Sequence, residues 1–322
     1  MKAVVYTHYG PPDVLQFREL PVPTPADNEV LVRVCAVSIN PLDWHLMRGD
    51  PLPVRLMTGL LRPKKTVLGS DFAGRVEAVG EAVKQFKPGD EVFGGVGQGG
   101  FAEYVCAAED RLALKPANLS FEEAAAVPVA ALTALQGLRM RGRMQAGSKV
   151  LVDGASGGVG TFGVQIAKAL GAEVTAVCST RNVETARRLG ADHVIDYTQQ
   201  DFTRMGQQYD LILAANAYRS IFDYRRALRE DGVCVRSGGR VSFSAMAWEA
   251  LVSLVLRPFS RKRVCGFITK WKQADLLVLR DLLASGRIAP VIDRRYPFSA
   301  MTEAIGYLEE GHAQGKVVLT VE

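Results

Sequence analysis

The sequence has few of the features that mark secreted, membrane-spanning or metal-dependent proteins. Its five cysteines are scattered, with no CxxC pair, so no disulfide framework is expected and a reducing compartment is favoured. The most apolar window, residues 245–256, contains Glu249 and is too short to cross a bilayer. The four isolated histidines offer no zinc site from local sequence. Residues 1–8 predict a strand rather than a signal peptide, so we expect a cytoplasmic protein.

Charge of one sign is not concentrated anywhere in the chain. The formal net charge is +5, and the longest basic run covers only residues 261–263. This dispersed pattern favours a solvated surface over a nucleic-acid interface. A length of 322 residues with ordinary hydrophobic and charged content predicts a globular chain of two domains.

Residues 1 to about 120 have the pattern of an all-β domain. Short β-branched runs at 2–6, 29–37, 74–79 and 91–93 are separated by proline and glycine turn signals, which favours a compact barrel. Residues 50–65 are basic and apolar, and we expect a surface loop with a short helix there. Ser120 and Glu123 form a capping box that predicts a helix start, and a second helix is expected over 131–141.

From residue 149 onward the pattern alternates between strands and helices, which is typical of a parallel sheet with right-handed crossovers. Six strands are predicted, the number in a full dinucleotide-binding sheet: 150–152, 173–178, 193–195, 210–214, 233–235 and 263–268. Helices are expected at 158–170, 183–189, 220–229 and 245–256. Beyond residue 270 we expect a helix at 274–285, a strand near 291–296, a helix at 301–310 and a strand at 316–321.

A glycine-rich turn, residues 154–160, joins the first of these strands to the first helix. Aligned on the dinucleotide fingerprint, its key positions are Ala155, Gly157 and Gly160. These would make the tight turn, admit a pyrophosphate to the backbone and pack the helix on the strand. The unpaired N–H groups at the helix start favour an anion. A strand–helix turn without a ligand is the alternative.

Motifs spread over nearly the whole chain carry a family resemblance. They include SINPLD at 38–43, LGSDFAG at 68–74, GGFAEYV at 99–105 and GKVVL at 315–319. Together they resemble the medium-chain dehydrogenase/reductase superfamily, and Asn40, Asp43 and the AxxGGVG turn resemble its quinone oxidoreductase branch.

The resemblance implies a two-domain α/β fold. A chaperonin-10-like β-barrel catalytic domain would comprise residues 1–122 with 269–322, and a six-stranded parallel Rossmann domain would comprise 123–268. It further implies NADPH in the cleft between the domains and a homodimer formed through the last strand of the nucleotide sheet. Zinc-dependent members would carry a cysteine near Pro41 and a histidine near Ser70, and both are missing here. A zinc-independent reaction is therefore expected.

The end of the second predicted strand carries Ser179 and Arg181, where an NAD-selective site has Asp or Glu. A hydroxyl and a guanidinium can both bind a 2′-phosphate, which favours NADPH over NADH. Alternatively, Ser179 caps the following helix. The resemblance adds Tyr197 as a contact to the same phosphate. The remaining predicted cofactor contacts come from the glycine turn and the later strand ends: Ser156, Gly157, Gly158, Val159, Asn216, Ser237, Gly238 and Phe267.

The candidate catalytic residues are Asn40, Asp43 and Thr133. Without a metal, hydride transfer is assisted by hydrogen bonds or a proton donor at the acceptor oxygen. Asn40 can donate from its amide, Asp43 can orient Asn40 or a water, and Thr133 is expected near the nicotinamide. An Asx-stabilised turn at 40–43 and simple helix packing of Thr133 remain open. An apolar acceptor pocket is expected from Trp44, Leu56, Met57 and residues 243–259, and the last segment suits a core or dimer interface equally well.

The sequence thus predicts an NADPH-dependent, zinc-independent oxidoreductase that transfers hydride to quinones or α,β-unsaturated carbonyls. Its partners would be a small apolar carbonyl or quinone and a second copy of the chain, with no nucleic acid and no membrane span. One alternative is a metal-free alcohol dehydrogenase or carbonyl reductase acting on C=O. The alternative from another class is a non-catalytic NADPH-binding sensor or structural protein.

Overall fold

The computed structural model describes residues 1–238 and 260–321, and the chain divides into two compact units. Unit 1 comprises Met1–Ala130, Trp271–Ser285 and Pro290–Glu322, and unit 2 comprises Ala131–Lys270 and Gly286–Ala289. The predicted helix at 245–256 lies outside the described residues.

Strands and helices are numbered in chain order over the described residues. The strands are β1 Lys2–Val5, β2 Gln16–Glu19, β3 Glu29–Ile39, β4 Asp71–Val79, β5 Glu91–Gly95, β6 Tyr104–Ala108, β7 Leu112–Leu114, β8 Lys149–Asp153, β9 Glu173–Cys178, β10 His193–Asp196, β11 Tyr209–Ala214, β12 Leu228–Arg236, β13 Arg263–Gly266, β14 Ile292–Pro297 and β15 Lys316–Thr320. The helices are α1 Pro41–Arg48, α2 Leu52–Thr58, α3 Phe121–Ala125, α4 Pro128–Gln136, α5 Gly158–Ala169, α6 Val183–Arg188, α7 Ile221–Ala227, α8 Gln273–Ala284 and α9 Met301–Glu309.

Unit 1 is built on a seven-stranded sheet whose path is β14-β15-β3-β4-β5-β7, with β6 also paired to β3. The strands from the end of the chain return to the first domain, because β15 pairs antiparallel with β3 and sets Val317 opposite Ile39. Valine, leucine and phenylalanine side chains of β3, β4, β5 and β15 share one buried core with α1 and α9. This returning segment confirms the chaperonin-10-like fold expected for the catalytic domain.

Unit 2 contains the predicted six-stranded parallel sheet. Its order is β10-β9-β8-β11-β12-β13, and every adjacent pair is parallel. The chain therefore moves outward in one direction from β8 through β10, then returns to the other side of β8 from β11 onward, as in a doubly wound dinucleotide-binding fold. Strand β13 ends at Gly266, so the strand prediction was two residues too long and Phe267 follows the strand.

The helix α1 was not predicted and changes the interpretation of residues 40–43. Pro41 occupies the first helical position, where its missing N–H is not needed. The Asp43 carboxylate accepts the Asn40 backbone N–H at 2.8 Å, and Gly49 ends the helix with a φ of 61°. The Asn40 side chain also bonds to the distant residues Asp71 and Lys316, so contacts beyond the local turn hold it in place.

Three other local predictions can be compared with the structure: the capping box at Ser120, the helix over 131–141 and the short helix within 50–65. The capping box is confirmed, since Ser120 Oγ accepts from the Glu123 N–H at 3.2 Å and the Glu123 carboxylate accepts from the Ser120 N–H at 2.8 Å. The single helix expected over 131–141 is wrong in form. It consists of α4, which begins at Pro128, followed by a π-helical turn over Gly137–Arg141. The segment 50–65 contains α2, as expected of a surface loop with a short helix.

Candidate functional site

The glycine turn of unit 2 has the geometry of an anion cradle. It connects β8 to α5, and Gly154 has a φ of 83° that favours glycine. A Cβ on Gly160 would lie 2.0 Å from the Gly154 carbonyl oxygen, whereas a Cβ on Gly157 would meet nothing nearer than 3.8 Å. Gly160 is therefore required for close packing of α5 on the turn, while Gly157 borders open space at the start of that helix. Open space beside unpaired helix N–H groups is what a pyrophosphate needs.

Several predicted cofactor residues follow strands at the same edge of this sheet. Because the strands are parallel, their carboxyl ends meet at one edge, and Ser179, Asn216 and Ser237 follow β9, β11 and β12 there. Asn216 is exposed, and the Ser237 Oγ is buried with no hydrogen-bond partner among the described residues. A Cβ on Gly238 would approach the Ala215 carbonyl oxygen to 2.3 Å. The edge thus presents polar groups beside the point where the strand order reverses, which is where such sheets bind ligands.

The end of β9 is followed by Ser179 and Arg181, and it lies beside a carboxylate, Asp196, that was not selected from the sequence. Ser179 Oγ accepts from the Asn182 amide at 3.1 Å and makes no capping bond to the following backbone, so the capping alternative is not what the structure shows. Arg181 is exposed. Asp196 ends the neighbouring strand β10 opposite Cys178, and its carboxylate accepts from Thr180 Oγ1 at 2.6 Å.

Asp196 was missed by the sequence reasoning, although the adjacent Tyr197 was selected. Hydrogen bonds from Thr180 and Thr198 hold the pKa of Asp196 below its ordinary value, so the carboxylate is ionised near neutral pH. The missed signal was strand pairing, which no local motif reveals. Tyr197 itself is 55% exposed, and its backbone N–H donates to the Cys178 carbonyl at 3.0 Å. A negative charge beside two threonine hydroxyls therefore accompanies Ser179 and Arg181 at this sheet edge.

A second acid, Asp153, lies immediately before the glycine turn. It is 9% exposed, and its Oδ2 accepts from the Tyr224 hydroxyl at 2.7 Å. Burial raises the pKa of Asp153 to about 6, while the Tyr224 hydrogen bond and Arg219 act in the opposite direction. The pair fixes the end of β8 to α7 at the point where the turn begins.

In unit 1, the predicted residues Asn40 and Asp43 belong to a buried polar cluster. Asn40 is 3% exposed, Asp43 and Asp71 are fully buried, and Lys316 is 4% exposed. Asn40 Nδ2 donates to Asp71 Oδ2 at 2.9 Å, and Asn40 Oδ1 accepts from Lys316 Nζ at 2.6 Å. Ser38 Oγ also donates to Asp71 Oδ2, at 3.2 Å. Sequence reasoning found Asn40 and Asp43 but not Asp71 or Lys316 as members of the same cluster.

The charges of this cluster are set by burial and by the hydrogen bonds within it. Burial raises the pKa of Asp71 and lowers that of Lys316, and their mutual attraction acts against both shifts. Three donors converge on Asp71, including the Val129 N–H at 3.0 Å, and the Lys316 ammonium lies 3.7 Å from it. Because that donor set matches an ionised carboxylate, we take Asp71 and Lys316 as an ion pair.

Asp43 differs from Asp71 in its protonation. Burial raises the pKa of Asp43 to about 7, and the negative charge of Asp71 acts in the same direction, while the Asn40 N–H and Lys316 oppose it. Asp43 Oδ2 accepts the Asn40 N–H, but its buried Oδ1 has no hydrogen-bond partner of ordinary geometry among the described residues. Asp43 is therefore the member of the cluster that changes charge near neutral pH.

The remaining predicted residues belong neither to the glycine turn of unit 2 nor to the buried polar cluster of unit 1. Thr133 Oγ1 in α4 lies 2.7 Å from Thr269 Oγ1, and Phe267 is half-buried with its ring near Gly137. Trp44 stacks on His45 with ring centroids 3.6 Å apart, and Leu56 is 70% exposed. The predicted pocket residues 243–259 lie outside the described residues.

The described residues contain neither a metal-binding cluster nor a membrane-spanning helix. Residues 1–238 and 260–321 contain no group of three or more His, Cys, Asp or Glu placed to hold a metal ion. In the same residues, no helix is long and apolar enough to cross a membrane. Position 70, where a zinc-dependent relative would have histidine, carries Ser70, whose Oγ lies 3.4 Å from the Gly97 carbonyl oxygen. These residues do not fit a catalytic zinc.

Comparison with known proteins gives two family matches. Residues 26–117 match the alcohol dehydrogenase GroES-like domain. Residues 189–319 match a family described as zinc-binding dehydrogenase. The first match covers most of the unit 1 sheet, and the second covers the later strands of unit 2 and the returning segment.

Relatives that align along 99% of this chain extend these matches. The chain is 36% identical to a 2-methylene-furan-3-one reductase of Solanum lycopersicum and 35% identical to a chloroplastic NADPH-dependent alkenal/one oxidoreductase of Arabidopsis thaliana. Each alignment covers 99% of this chain and 79% of the relative. The solved quinone oxidoreductase from Coxiella burnetii aligns with a TM-score of 0.86 at 30% identity, covering 100% of this chain and 99% of that one.

Proposed function

The chain belongs to the medium-chain dehydrogenase/reductase superfamily, in its quinone oxidoreductase-like branch, and on this basis we propose that it reduces quinones or α,β-unsaturated carbonyls with NADPH. It is an oxidoreductase of an NAD(P)-dependent family. The observation that carries the proposal is the glycine turn, with open space at Gly157 and no room for a side chain at Gly160. Full-length similarity to alkenal and quinone reductases supports the acceptor class.

The proposed nucleotide is NADPH, held by the glycine turn and the end of β9. Ser156, Gly158 and Val159 would supply backbone donors to the pyrophosphate at the start of α5. Gly157, whose own N–H donates to the Gly154 carbonyl at 3.2 Å, would leave room for it. Ser179 and exposed Arg181 would bind the 2′-phosphate, with Tyr197 beside them.

The negative charge of Asp196, which accepts a hydrogen bond from Thr180, disfavours binding of a 2′-phosphate unless the Arg181 guanidinium offsets it. Substitutions of Arg181 and Asp196 therefore test whether the 2′-phosphate binds here. Arg181→Ala is therefore expected to weaken NADPH binding at least tenfold and NADH binding less than twofold, measured by nicotinamide fluorescence. Asp196→Asn is the matched variant, and it should strengthen NADPH binding relative to NADH. Equal losses for both nucleotides in Arg181→Ala would contradict the phosphate assignment.

The acceptor is proposed to contact Asn40. When bound, NADPH supplies a hydride, so the acceptor gains a hydride and one proton and NADP⁺ is released. Negative charge develops on the acceptor's carbonyl oxygen, and an amide N–H from Asn40 would stabilise it. Asp43 would orient the backbone of Asn40, and Thr133, paired with Thr269, would lie toward the nicotinamide. Asn216, Ser237, Gly238 and Phe267 complete the proposed cofactor contacts.

The decisive experiment follows NADPH oxidation with a panel of a benzoquinone, a 2-alkenal and a saturated aldehyde. Turnover of the quinone or the alkenal, unaffected by EDTA, is expected, and the alkenal product should be the saturated aldehyde. An allylic alcohol, or turnover of the saturated aldehyde alone, would instead indicate a carbonyl reductase. Tight NADPH binding without turnover of any acceptor would refute the enzymatic proposal and leave a nucleotide-binding protein.

Asn40→Ala tests the acceptor contact separately from nucleotide binding. We expect turnover to fall about 100-fold, since removal of one oxyanion donor typically costs about 10²–10³ in kcat. NADPH affinity should be unchanged. Wild-type turnover in a folded Asn40→Ala protein would remove this residue from the mechanism.

The assembly and compartment are part of the same proposal. Strand β13 is an outer strand of the unit 2 sheet, and a homodimer formed by pairing two such edges is proposed from the family resemblance. Sedimentation of the full chain tests it, and a monomer at micromolar concentration would contradict it. A cytoplasmic location is proposed from the scattered cysteines, and fractionation of cells that express the chain would test it.

A further inference from the structure

The buried cluster of unit 1 contains two charged residues that the proposed reaction does not use. Asp71 lies at the start of β4 and Lys316 at the start of β15. Both are almost completely enclosed, at 0% and 4% exposure. Burying charges is costly unless they are paired and hydrogen-bonded, so a cluster of this kind calls for a physical role.

The contacts of Asn40 distinguish the two ends of its amide. The Oδ1 end accepts from the Lys316 ammonium at 2.6 Å, and the Nδ2 end donates to the Asp71 carboxylate at 2.9 Å. An ammonium group has donors only and an ionised carboxylate has acceptors only. Turning the amide over would set NH₂ against the ammonium and C=O against the carboxylate, so both contacts would become repulsive.

The supports of this arrangement come from different parts of unit 1. Lys316 also donates to the Ile39 carbonyl oxygen at 3.1 Å, one residue before Asn40. Asp71 is held by Ser38 and by the Val129 N–H. The Asn40 side chain is therefore fixed through residues of β3, β4 and β15, while Asp43 holds its backbone N–H. A side chain with both ends bound to oppositely charged groups is preorganised.

We propose that Lys316 and Asp71 are positioning residues that lock the Asn40 amide, so that the one Nδ2–H left over is the group offered to the substrate oxygen. A locked amide of this kind is a donor only, and it fits an oxygen that only accepts hydrogen bonds. The carbonyl oxygens of conjugated ketones, aldehydes and quinones meet that requirement. This inference rests on the proposed function for its substrate contact, but the amide lock itself exists without cofactor or substrate.

The first test of the amide lock measures hydrogen exchange of the Asn40 side chain and does not depend on enzymatic activity. The sequence has five asparagines, so ¹⁵N-asparagine labelling gives a small set of side-chain amide signals, and Asn40→Ala identifies the Asn40 pair. In the wild-type chain the two Asn40 Nδ2 protons are expected to have separate shifts, and the proton bound to Asp71 is expected to exchange slowly with solvent. In Lys316→Met the exchange of that proton should accelerate at least tenfold. Unchanged exchange in a folded Lys316→Met protein would overturn the inference, whatever the enzyme turns over.

A mutant cycle then tests whether Lys316 acts through Asn40. Lys316→Met is expected to lower kcat for a quinone about 10- to 100-fold with unchanged NADPH affinity, and Lys316→Arg should recover part of that loss. In the Asn40→Ala background, Lys316→Met should change kcat less than twofold, because residues that act through one another are not additive. Independent, multiplicative losses would overturn the positioning role. The exposed residue Lys84 supplies the control Lys84→Met, which is expected to match the wild-type chain.

The variant Lys316→Met leaves Asp71 buried without its cation, and it can fail to fold. The pair Asp71→Asn with Lys316→Met removes both charges together and avoids that problem. This double variant is expected to fold, to bind NADPH normally and to lose kcat like Lys316→Met. Wild-type kcat in the double variant would show that the charges serve only stability, and the inference would fall. If the wild-type chain reduces no acceptor, the exchange measurement still shows whether Lys316 fixes the Asn40 amide. Failure of the proposed function can therefore be distinguished from failure of the positioning proposal.

Discussion

The substitution Asp43→Asn should change how the stability of the chain depends on pH. Asp43 is fully buried, and burial raises its pKa from 3.8 to about 7. The folded state therefore keeps this proton at pH values where the unfolded chain has lost it. The stabilisation is complete below about pH 4 and is lost as the pH rises through 7. Asparagine retains an oxygen for the Asn40 N–H but does not titrate, so the variant lacks this dependence.

The size of the effect follows from the shift. Three pKa units correspond to about 4 kcal/mol at 1.36 kcal/mol each, as an upper bound. Between pH 5 and pH 8 the two-state titration of Asp43 releases roughly 2–3 kcal/mol of that total. For a unit of this size, about 2–4 °C of Tm accompanies each kcal/mol. The Tm of the wild-type chain should therefore fall about 5–10 °C relative to Asp43→Asn over this range.

The assay is thermal unfolding of both proteins in matched buffers from pH 5 to pH 8. Asp153, whose burial also raises its pKa, is present in both chains and cancels in the difference. Asp110→Asn at an exposed carboxylate is the control and should show no such trend. A Tm difference that stays constant with pH, or that grows in favour of the wild-type chain, would refute the argument that Asp43 is neutral below pH 7.

Three further substitutions concern the turn of unit 2 and Asp153, the residue before it. Gly160→Ala is expected to lower both Tm and NADPH affinity, the latter at least tenfold, because the added Cβ would lie 2.0 Å from the Gly154 carbonyl oxygen. Gly157→Ala has room for its Cβ, so it should keep the wild-type Tm and lose NADPH affinity alone; equal Tm losses would contradict the cradle. Tyr224→Phe should destabilise the chain by about 1–3 kcal/mol, because the buried Asp153 loses its 2.7 Å donor. A Tm within 1 °C of the wild-type value would show that this hydrogen bond contributes nothing.

The sequence predicts most of the unit 2 fold because several strands there are short apolar runs that alternate with helical segments. The bounds of β9 agree with the prediction, and β8, β10 and β11 agree within a residue. The chaperonin-10-like unit depended on the family resemblance, since the pairing of β15 with β3 joins residues about 280 positions apart. Local patterns carry no information about such a pairing.

The candidate site was predicted less completely than the fold. Asn40 and Asp43 were found through a motif, but Lys316 is 276 residues from Asn40, and in sequence it cannot be told from a surface lysine. Asp196 and Tyr224 were missed for the same reason, because their roles depend on strand pairing and on packing between elements. The helix α1 was missed because a proline after an asparagine fits a turn as well as a helix start.

The return of β15 to the first sheet has a consequence for synthesis of the chain. Residues 131–270 form almost all of unit 2 and emerge from the ribosome as one run. Unit 1 can complete its sheet only after β15 has been synthesised, because β15 lies between β14 and β3. Strand β15 also carries Lys316, which donates to Asn40. Until residue 316 is available, residues 36–39 of β3 lack β15 as a partner strand and Asp71 lacks its counter-ion. A chain that ends before β15 would contain the whole sequence of unit 2 but would leave part of β3 without a partner strand on one edge. An exposed strand edge of this kind makes a chain prone to aggregation.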